Sequence, residues 1–157
     1  MDNITAKDLN DLSVKERINF LKQEATIIWG KDTIRRDLAV GQAILESAIR
    51  RDEISGLAKK NNLFGIKGSG TKGFVTMQTR EEDHNGVSYH TNAEFASNNT
   101  LRDSFEQHRK LLYKPRYGAV LLAITIEGAC KQIVNCGYAT DKRYTQKLLD
   151  VINEMGE

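Results

Sequence analysis

Glu46 sits where a carboxylate is least at home. It interrupts Ala43-Ile44-Leu45-Glu46-Ser47-Ala48, inside a stretch from about Ile34 to Arg50 with helical periodicity. At about 100° per residue, Ile34, Leu38, Leu45 and Ile49 make one stripe, with Gly41, Ile44 and Ala48 beside it. Ala39, Val40 and Ala43 fill most of the remaining circumference, and a helix apolar all round is a buried one. A carboxyl group in such company has its charged form disfavoured and stays protonated, as a general acid for a glycosidic oxygen requires. The neighbouring alanines leave room for a ligand. Helix geometry alone permits another arrangement, an (i, i+4) ion pair of Glu46 with Arg50 on a solvated strip.

A second acidic group lies in Arg80-Glu81-Glu82-Asp83-His84, just before Asn85-Gly86. An acid and a separate carboxylate suit inverting glycoside hydrolysis, in which the second group activates water across a gap of roughly 6.5–9.5 Å. The same run also reads as a solvated charge cluster at a hairpin tip. His84, His90 and His108 have neither metal-ligand spacing nor a Ser or Cys nucleophile pattern, and all three are expected at the surface. Cys130 and Cys136 lack a CxxC or metal arrangement, and one helix would hold their Cα atoms roughly 9 Å apart, too far for a disulfide. No metal and no cofactor are expected.

These residues need a scaffold. Ser13-Val14-Lys15-Glu16 reads as a capping box, and Val14, Ile18, Leu21, Ala25 and Ile28 follow it at helical spacing. The Ile34–Arg50 helix comes next. Between Asn61 and Gly73, glycines at 65, 68, 70 and 73 predict a flexible loop, a soft hinge for the strands beyond it. Phe74 to Thr79 reads as a strand, Asn85-Gly86 as a type I′ turn, and Val87, Tyr89 and Phe95 as the return strand. Helices then resume: one from Thr100 with Leu101, Phe105, Leu111 and Leu112, one over Tyr117–Ile124, one over Ile126–Asn135, and one over Asp141–Met155 with Thr140 placed to cap it. The layout is α+β, mostly helical, with a β-hairpin lobe at about 74–96.

Bulk properties fit one domain over residues 1–157 with a substantial core. A net charge of +2, from 23 basic and 21 acidic residues, is too small to argue for nucleic acid, though mildly basic proteins associate with anionic wall polymers. No stretch approaches the roughly 20 apolar residues of a membrane span. Met1-Asp2-Asn3-Ile4-Thr5 has neither the basic nor the apolar region of a secretory signal.

Four motifs in order carry a more specific message: Gln42-Ala43-Ile44-Leu45-Glu46-Ser47; Leu57-Ala58-Lys59-Lys60-Asn61-Asn62-Leu63-Phe64-Gly65-Ile66-Lys67; Pro115-Arg116-Tyr117; and Gly137-Tyr138-Ala139-Thr140-Asp141-Lys142-Arg143-Tyr144. Together they resemble the catalytic domain of glycoside hydrolase family 73, which includes a flagellar rod-associated glucosaminidase, bacterial autolysins and phage wall hydrolases. The resemblance implies a lysozyme-like helical domain with the hairpin over the cleft. It implies endo-β-N-acetylglucosaminidase activity on the β-1,4 bond between N-acetylglucosamine and N-acetylmuramic acid of peptidoglycan. By it, Glu46 is the catalytic acid, Glu82 the second carboxylate, and Tyr117 the tyrosine near the acid. Asn62, Phe64, Lys67 and Tyr138 are then expected to contact substrate. A substrate-assisted route, in which the sugar N-acetyl oxygen attacks, is an alternative to the inverting one.

One departure stands out. After the return-strand phenylalanine, where the family carries an aromatic and an arginine, the chain has Phe95-Ala96-Ser97-Asn98-Asn99, which puts the usual anchoring of the hairpin in question. Competing functions are a lytic transglycosylase or muramidase on the same fold, which needs no base, and a virion structural protein that keeps the fold for wall binding. A chain without a leader fits a phage lysis or tail-associated product, or a component of another delivery machine, made in the cytoplasm and acting on the wall after delivery.

Overall fold

The computed structural model describes residues 6–156; the segment from Met1 to Thr5, with its expected lack of a secretory signal, lies outside the described residues. A short helix α1 (Ala6–Leu9) leads to α2 (Val14–Trp29), where the Ser13 hydroxyl accepts from the Glu16 N–H at 3.2 Å, one half of the expected capping box. The buried face of α2 is rotated from the expected one. Phe20, Leu21, Ala25 and Trp29 point inward, whereas Val14 is exposed and Ile18 and Ile28 are half-buried. Two charged residues share the buried face for a physical reason: each is satisfied. Arg17 donates to the carbonyls of Leu9, Leu12, Ile49 and Arg51 at 2.7–3.1 Å, and Glu24 accepts from Arg102 at 2.7 Å.

Helix α3 (Thr33–Ser47) starts at Asp32, whose carboxylate accepts from the Arg35 N–H, and it is the hub on which other helices pack. It ends earlier than periodicity suggests, because Ala48 takes a left-handed conformation (φ 58°). The carbonyls of Ile49 and Arg51 beyond that break are among those gathered by Arg17. At Gly41 a Cβ would stand 2.7 Å from Ile152 Cγ1 and 2.9 Å from Leu148 Cδ1, so only glycine allows the last helix to close on α3.

The glycine-rich stretch has no regular element after a 3₁₀ turn at Ala58–Lys60, yet it is pinned rather than slack, which corrects the soft-hinge expectation. Asn62, 1% exposed, donates to the carbonyls of Ile66 (2.9 Å) and Ala96 (3.0 Å) and accepts from the Ile66 N–H (3.0 Å). Asn98 accepts from the Thr71 N–H (3.0 Å) and donates to the Asn61 carbonyl (3.0 Å) and Gln107 Oε1 (2.9 Å). A Cβ at Gly70 would lie 2.2 Å from Asn98 Oδ1, so this glycine serves close approach, not mobility. The asparagines thus supply the anchorage that the missing aromatic and arginine put in question.

Strands β1 (Phe74–Glu82) and β2 (Ser88–Ala96) pair antiparallel from Phe74 opposite Ala96 to Glu82 opposite Ser88. The tip is not a two-residue type I′ turn. Only Gly86 there has positive φ (78°), and Asp83 and Val87 close a three-residue loop through Asp83 N–H to the Val87 carbonyl at 3.0 Å. Asp83 directs this choice, because its carboxylate accepts from the N–H groups of Asn85 and Val87 at 2.9 Å each.

Helix α4 (Leu101–Leu112) opens with a complete capping box between Thr100 and Asp103. A 3₁₀ turn (Pro115–Tyr117), α5 (Gly118–Leu122), α6 (Ile126–Asn135) and α7 (Tyr144–Met155) complete the chain. Helix α7 begins three residues later than expected, with Arg143 rather than Thr140 at its N-cap, because Asp141 turns the chain by accepting from the Arg143 N–H. Cys130 is buried in α6, Cys136 caps it, and both are free thiols. The architecture is the expected α+β one, mostly helical with a segregated hairpin. Among the described residues no helix is long and apolar enough to cross a membrane.

Candidate active site

Glu46 is the next-to-last residue of α3. The negative end of the helix dipole and the loss of hydration both disfavour its ionised form there. Burial raises its pKa above the usual carboxylate value, and a hydrogen bond from the Tyr144 hydroxyl at 3.2 Å partly offsets that rise. Its side chain still meets solvent. The two observations agree for a group on a concave surface, which admits water molecules while protein atoms crowd the carboxyl from the sides. Arg50 does not form the (i, i+4) ion pair; it reaches Glu154 at 3.2 Å instead. A cavity of about 280 Å³ opens beside Glu46, lined by Ile44, Leu45, Ala48, Arg50 and Arg51. A larger concavity, about 530 Å³, lies along α2 and the end of α7 and contains none of the expected site residues.

Three tyrosines stand behind the acid. The Tyr138 ring lies 6.3 Å from those of both Tyr117 and Tyr144, and Arg116 sits 5.1 Å over the Tyr117 ring. The hydroxyl on Glu46 is therefore that of Tyr144, and Tyr117, 4% exposed, stands two rings away. Tyr138 is half-buried, and burial, with Tyr144, Glu46 and Tyr117 nearby, pushes its pKa far above that of a free phenol.

The expected loop contacts separate into two kinds. Asn62 is buried and spends its amide on backbone, and Phe64 is buried against Phe105 and stacks on His108 at 4.2 Å. Both side chains thus brace the loop from within. Lys67 is exposed and pairs with Glu81 at 3.2 Å.

On the hairpin, register decides which carboxylate faces inward. Val75, Met77, Thr79 and Glu81 are the half-buried face, whereas Glu82 lies on the opposite, exposed face with Phe74, Thr76, Gln78 and Arg80. The inner face turns toward the segment after the Glu46 helix, since a Cβ at Gly56 would stand 3.2 Å from Met77 Cε. Glu82 therefore lies on the exposed face of the hairpin, and the alternation of a strand puts Glu81 on the half-buried one.

Sequence reasoning missed the residues that hold Glu46 from behind. Gln42 and His108 are fully buried, and His108 Nε2 lies 2.8 Å from Gln42 Oε1. Gln42 Nε2 donates to the Tyr144 hydroxyl at 3.3 Å. Burial holds His108 neutral, with its pKa lowered to about 3, which overturns the surface expectation for this histidine. A signal was present: Leu101, Phe105, His108 and Leu112 fall on one face of α4. His84 and His90 are exposed, as expected.

Comparison with known proteins agrees with this geometry. The sequence profile described as "Mannosyl-glycoprotein endo-beta-N-acetylglucosaminidase" matches residues 22–157. The exo-glucosaminidase LytG of Bacillus subtilis is 32% identical over 143 residues, covering 87% of this chain and 50% of that protein. The peptidoglycan hydrolase FlgJ of Escherichia coli is 36% identical over 125 residues, 75% of this chain and 39% of that one. The chain therefore spans half or less of these relatives. Among solved structures, the catalytic domain of the autolysin Auto from Listeria monocytogenes superposes with a TM-score of 0.78 at 31% identity, over 92% of this chain and 86% of that one. A truncated glycoside hydrolase domain of FlgJ from Salmonella typhimurium gives 0.68 at 28% identity, over 92% and 98%. A profile match over most of the length, on a backbone shared with solved members, makes this chain a member of the glucosaminidase family.

Proposed function

We propose that the chain hydrolyses the β-1,4 bond on the reducing side of N-acetylglucosamine in peptidoglycan, with Glu46 as general acid. The observation that carries this is the setting of Glu46: a carboxyl near a helix C-terminus, hydrogen-bonded by Tyr144 at 3.2 Å beside an open cavity, with its pKa raised by burial. The acid protonates the departing glycosidic oxygen. Glu81, on the inner face of the hairpin and paired with Lys67 at 3.2 Å, is our candidate for the carboxylate that activates water or orients the substrate N-acetyl group. Tyr138 contributes a half-buried ring beside the acid, and Lys67 an exposed cation at the hairpin root, for sugar and stem contacts. A phage tail or another delivery machine is the partner class proposed to carry the chain to the wall.

Digestion of purified sacculi and mass spectrometry of the new ends tests this. Reducing N-acetylglucosamine ends support it; reducing muramic ends identify a muramidase, and anhydro-muramic ends a transglycosylase. The relatives include an enzyme named as an exo-glucosaminidase, so product length matters too. Internal cleavage yields a spread of glycan lengths from the first minutes, whereas end-wise cleavage releases only short products. No turnover at all would favour a wall-binding structural role.

A further inference from the structure

Behind the acid runs a chain of three side-chain hydrogen bonds crossing from α4 through α3 to α7: His108 to Gln42 at 2.8 Å, Gln42 to Tyr144 at 3.3 Å, Tyr144 to Glu46 at 3.2 Å. Its first two members are fully buried and Tyr144 is 6% exposed, so water does not compete for these bonds. Such a chain has a direction. The Gln42 carbonyl oxygen faces His108, so His108 Nε2 carries the hydrogen and donates it. Gln42 then presents its NH₂ to the Tyr144 oxygen, and the single hydroxyl hydrogen of Tyr144 is left for Glu46 Oε1. The opposite direction would leave a histidine N–H at Nδ1 buried without a partner. In the direction described, the unpartnered Nδ1 is a bare lone pair, the less costly orphan.

We propose that His108 is a positioning residue for the reaction: acting through Gln42, it obliges Tyr144 to donate to Oε1 of Glu46, and so reserves Oε2 for the proton delivered to the glycosidic oxygen. This rests on the assignment of Glu46 as the acid. An undirected carboxyl could carry its proton on either oxygen and in either orientation, and only one orientation faces the leaving group. A fixed donor on Oε1 makes that oxygen an acceptor in both charge states of Glu46. His108 is suited to anchor the chain because burial keeps it neutral across the working pH range, so the direction does not reverse on acidification. Stacking on Phe64 at 4.2 Å holds its ring plane. The other ionisable groups about Glu46 are Tyr138, Arg50, which is engaged by Glu154, and Arg51 at the cavity wall. None of them donates to Oε1.

The test uses His108→Phe, which keeps an aromatic ring on Phe64, and Gln42→Glu, which keeps the shape but removes the NH₂ donor so that Tyr144 turns to residue 42. Tyr144→Phe removes the last link directly. The Glu46 titration is followed by side-chain carboxyl ¹³C NMR, and kcat and KM on soluble glycan fragments of peptidoglycan are measured against pH. In all three variants the Glu46 titration moves up in pH, because a bond that favoured the carboxylate is gone, and kcat falls about tenfold with KM little changed. His108→Phe combined with Tyr144→Phe shifts the titration no further than Tyr144→Phe alone, as one chain demands. A folded His108→Phe or Gln42→Glu protein whose Glu46 titrates as in the parent overturns the proposal, as does full additivity in the double variant. If Glu46→Gln retains turnover, the acid assignment fails by itself, while the titration still reports whether the chain exists.

Discussion

The two carboxylate-bearing regions of this molecule are built on opposite plans. Glu46 stands at the end of a buried helix and is backed by a tyrosine, a glutamine and a histidine with little or no exposure. Glu81 and Glu82 stand on a two-stranded hairpin with no third strand among the described residues, and the far half of that hairpin is exposed on most residues. The helical region raises the pKa of its carboxyl by burial; the hairpin sets only a direction, by the alternation of a strand. A general acid needs its pKa raised in the resting protein, whereas a carboxylate that must stay ionised gains from water and a nearby lysine. Each plan suits its group.

The largest effect should come from breaking the buried side. Glu46→Gln should lower turnover on purified sacculi by about 10²–10⁴-fold with the fold retained, since protonation of the leaving oxygen contributes that much. Activity within threefold of the parent would remove the contrast altogether. Next, Glu81→Ala should lose roughly 10²-fold, as a missing base implies, and added azide should restore part of it by replacing the activated water. Glu82→Ala should stay within about threefold, because an exposed hairpin charge does little. The reverse outcome would mean that the strand register does not decide the role. If both variants stay active, substrate assistance or a transglycosylase route is the better account.

Stability should also divide along the same line. Arg17→Met leaves the buried Ile49 carbonyl without its donor, whereas the Leu9 carbonyl keeps the Leu12 N–H and those of Leu12 and Arg51 are reached by water, so at about 1–3 kcal/mol per buried unpaired group the loss should be about 1–3 kcal/mol. Urea denaturation measures it. Asn98→Ala should cost about 1–3 kcal/mol by the same rule and loosen the hairpin root, visible as faster amide exchange at Thr71.

The smallest effect concerns pH. Because the folded pKa of Glu46 is raised, the native state holds its proton more tightly than the unfolded chain does, and this contribution to stability fades as pH rises through the folded value. Glu46→Gln should therefore melt slightly higher than the parent at neutral pH, with the difference gone below pH ~4. On the same grounds kcat/KM of the parent should decline on the alkaline side as Glu46 ionises. A variant that melts lower than the parent at neutral pH would show that the carboxylate is well solvated.

Much of the molecule is legible from residues alone, and the misses share a cause. Helices α2 to α4 and α6, the hairpin and Glu46 announce themselves through local periodicity or an ordered motif. His108 escapes because histidine carries no hydrophobic signal of its own, although its helix face is apolar. Tyr144 reads as one more core residue of α7; only the close approach permitted by Gly41 brings it to Glu46. Counting back from Asn85 points to Glu82, but counting does not say which face of the hairpin a residue takes; the pairing of Phe74 with Ala96 at the root puts Glu82 on the exposed face and Glu81 on the half-buried one. Arg17 leaves no trace, since its partners are backbone carbonyls, which every sequence has.

The asparagine clasp at the root makes the hairpin a cantilever, fixed at Asn61, Asn62 and Asn98 and largely exposed along its outer half. Because these bonds go largely to main-chain atoms, they do not depend on which side chains the arm carries. The arm is thus an exchangeable part: its tip can be lengthened, shortened or replaced by another sequence in phase with the pleat, and the acid keeps its setting. Selectivity for wall chemistries is then open to engineering by swapping the residues between Glu82 and Thr91, with Glu81 kept and the helical body untouched.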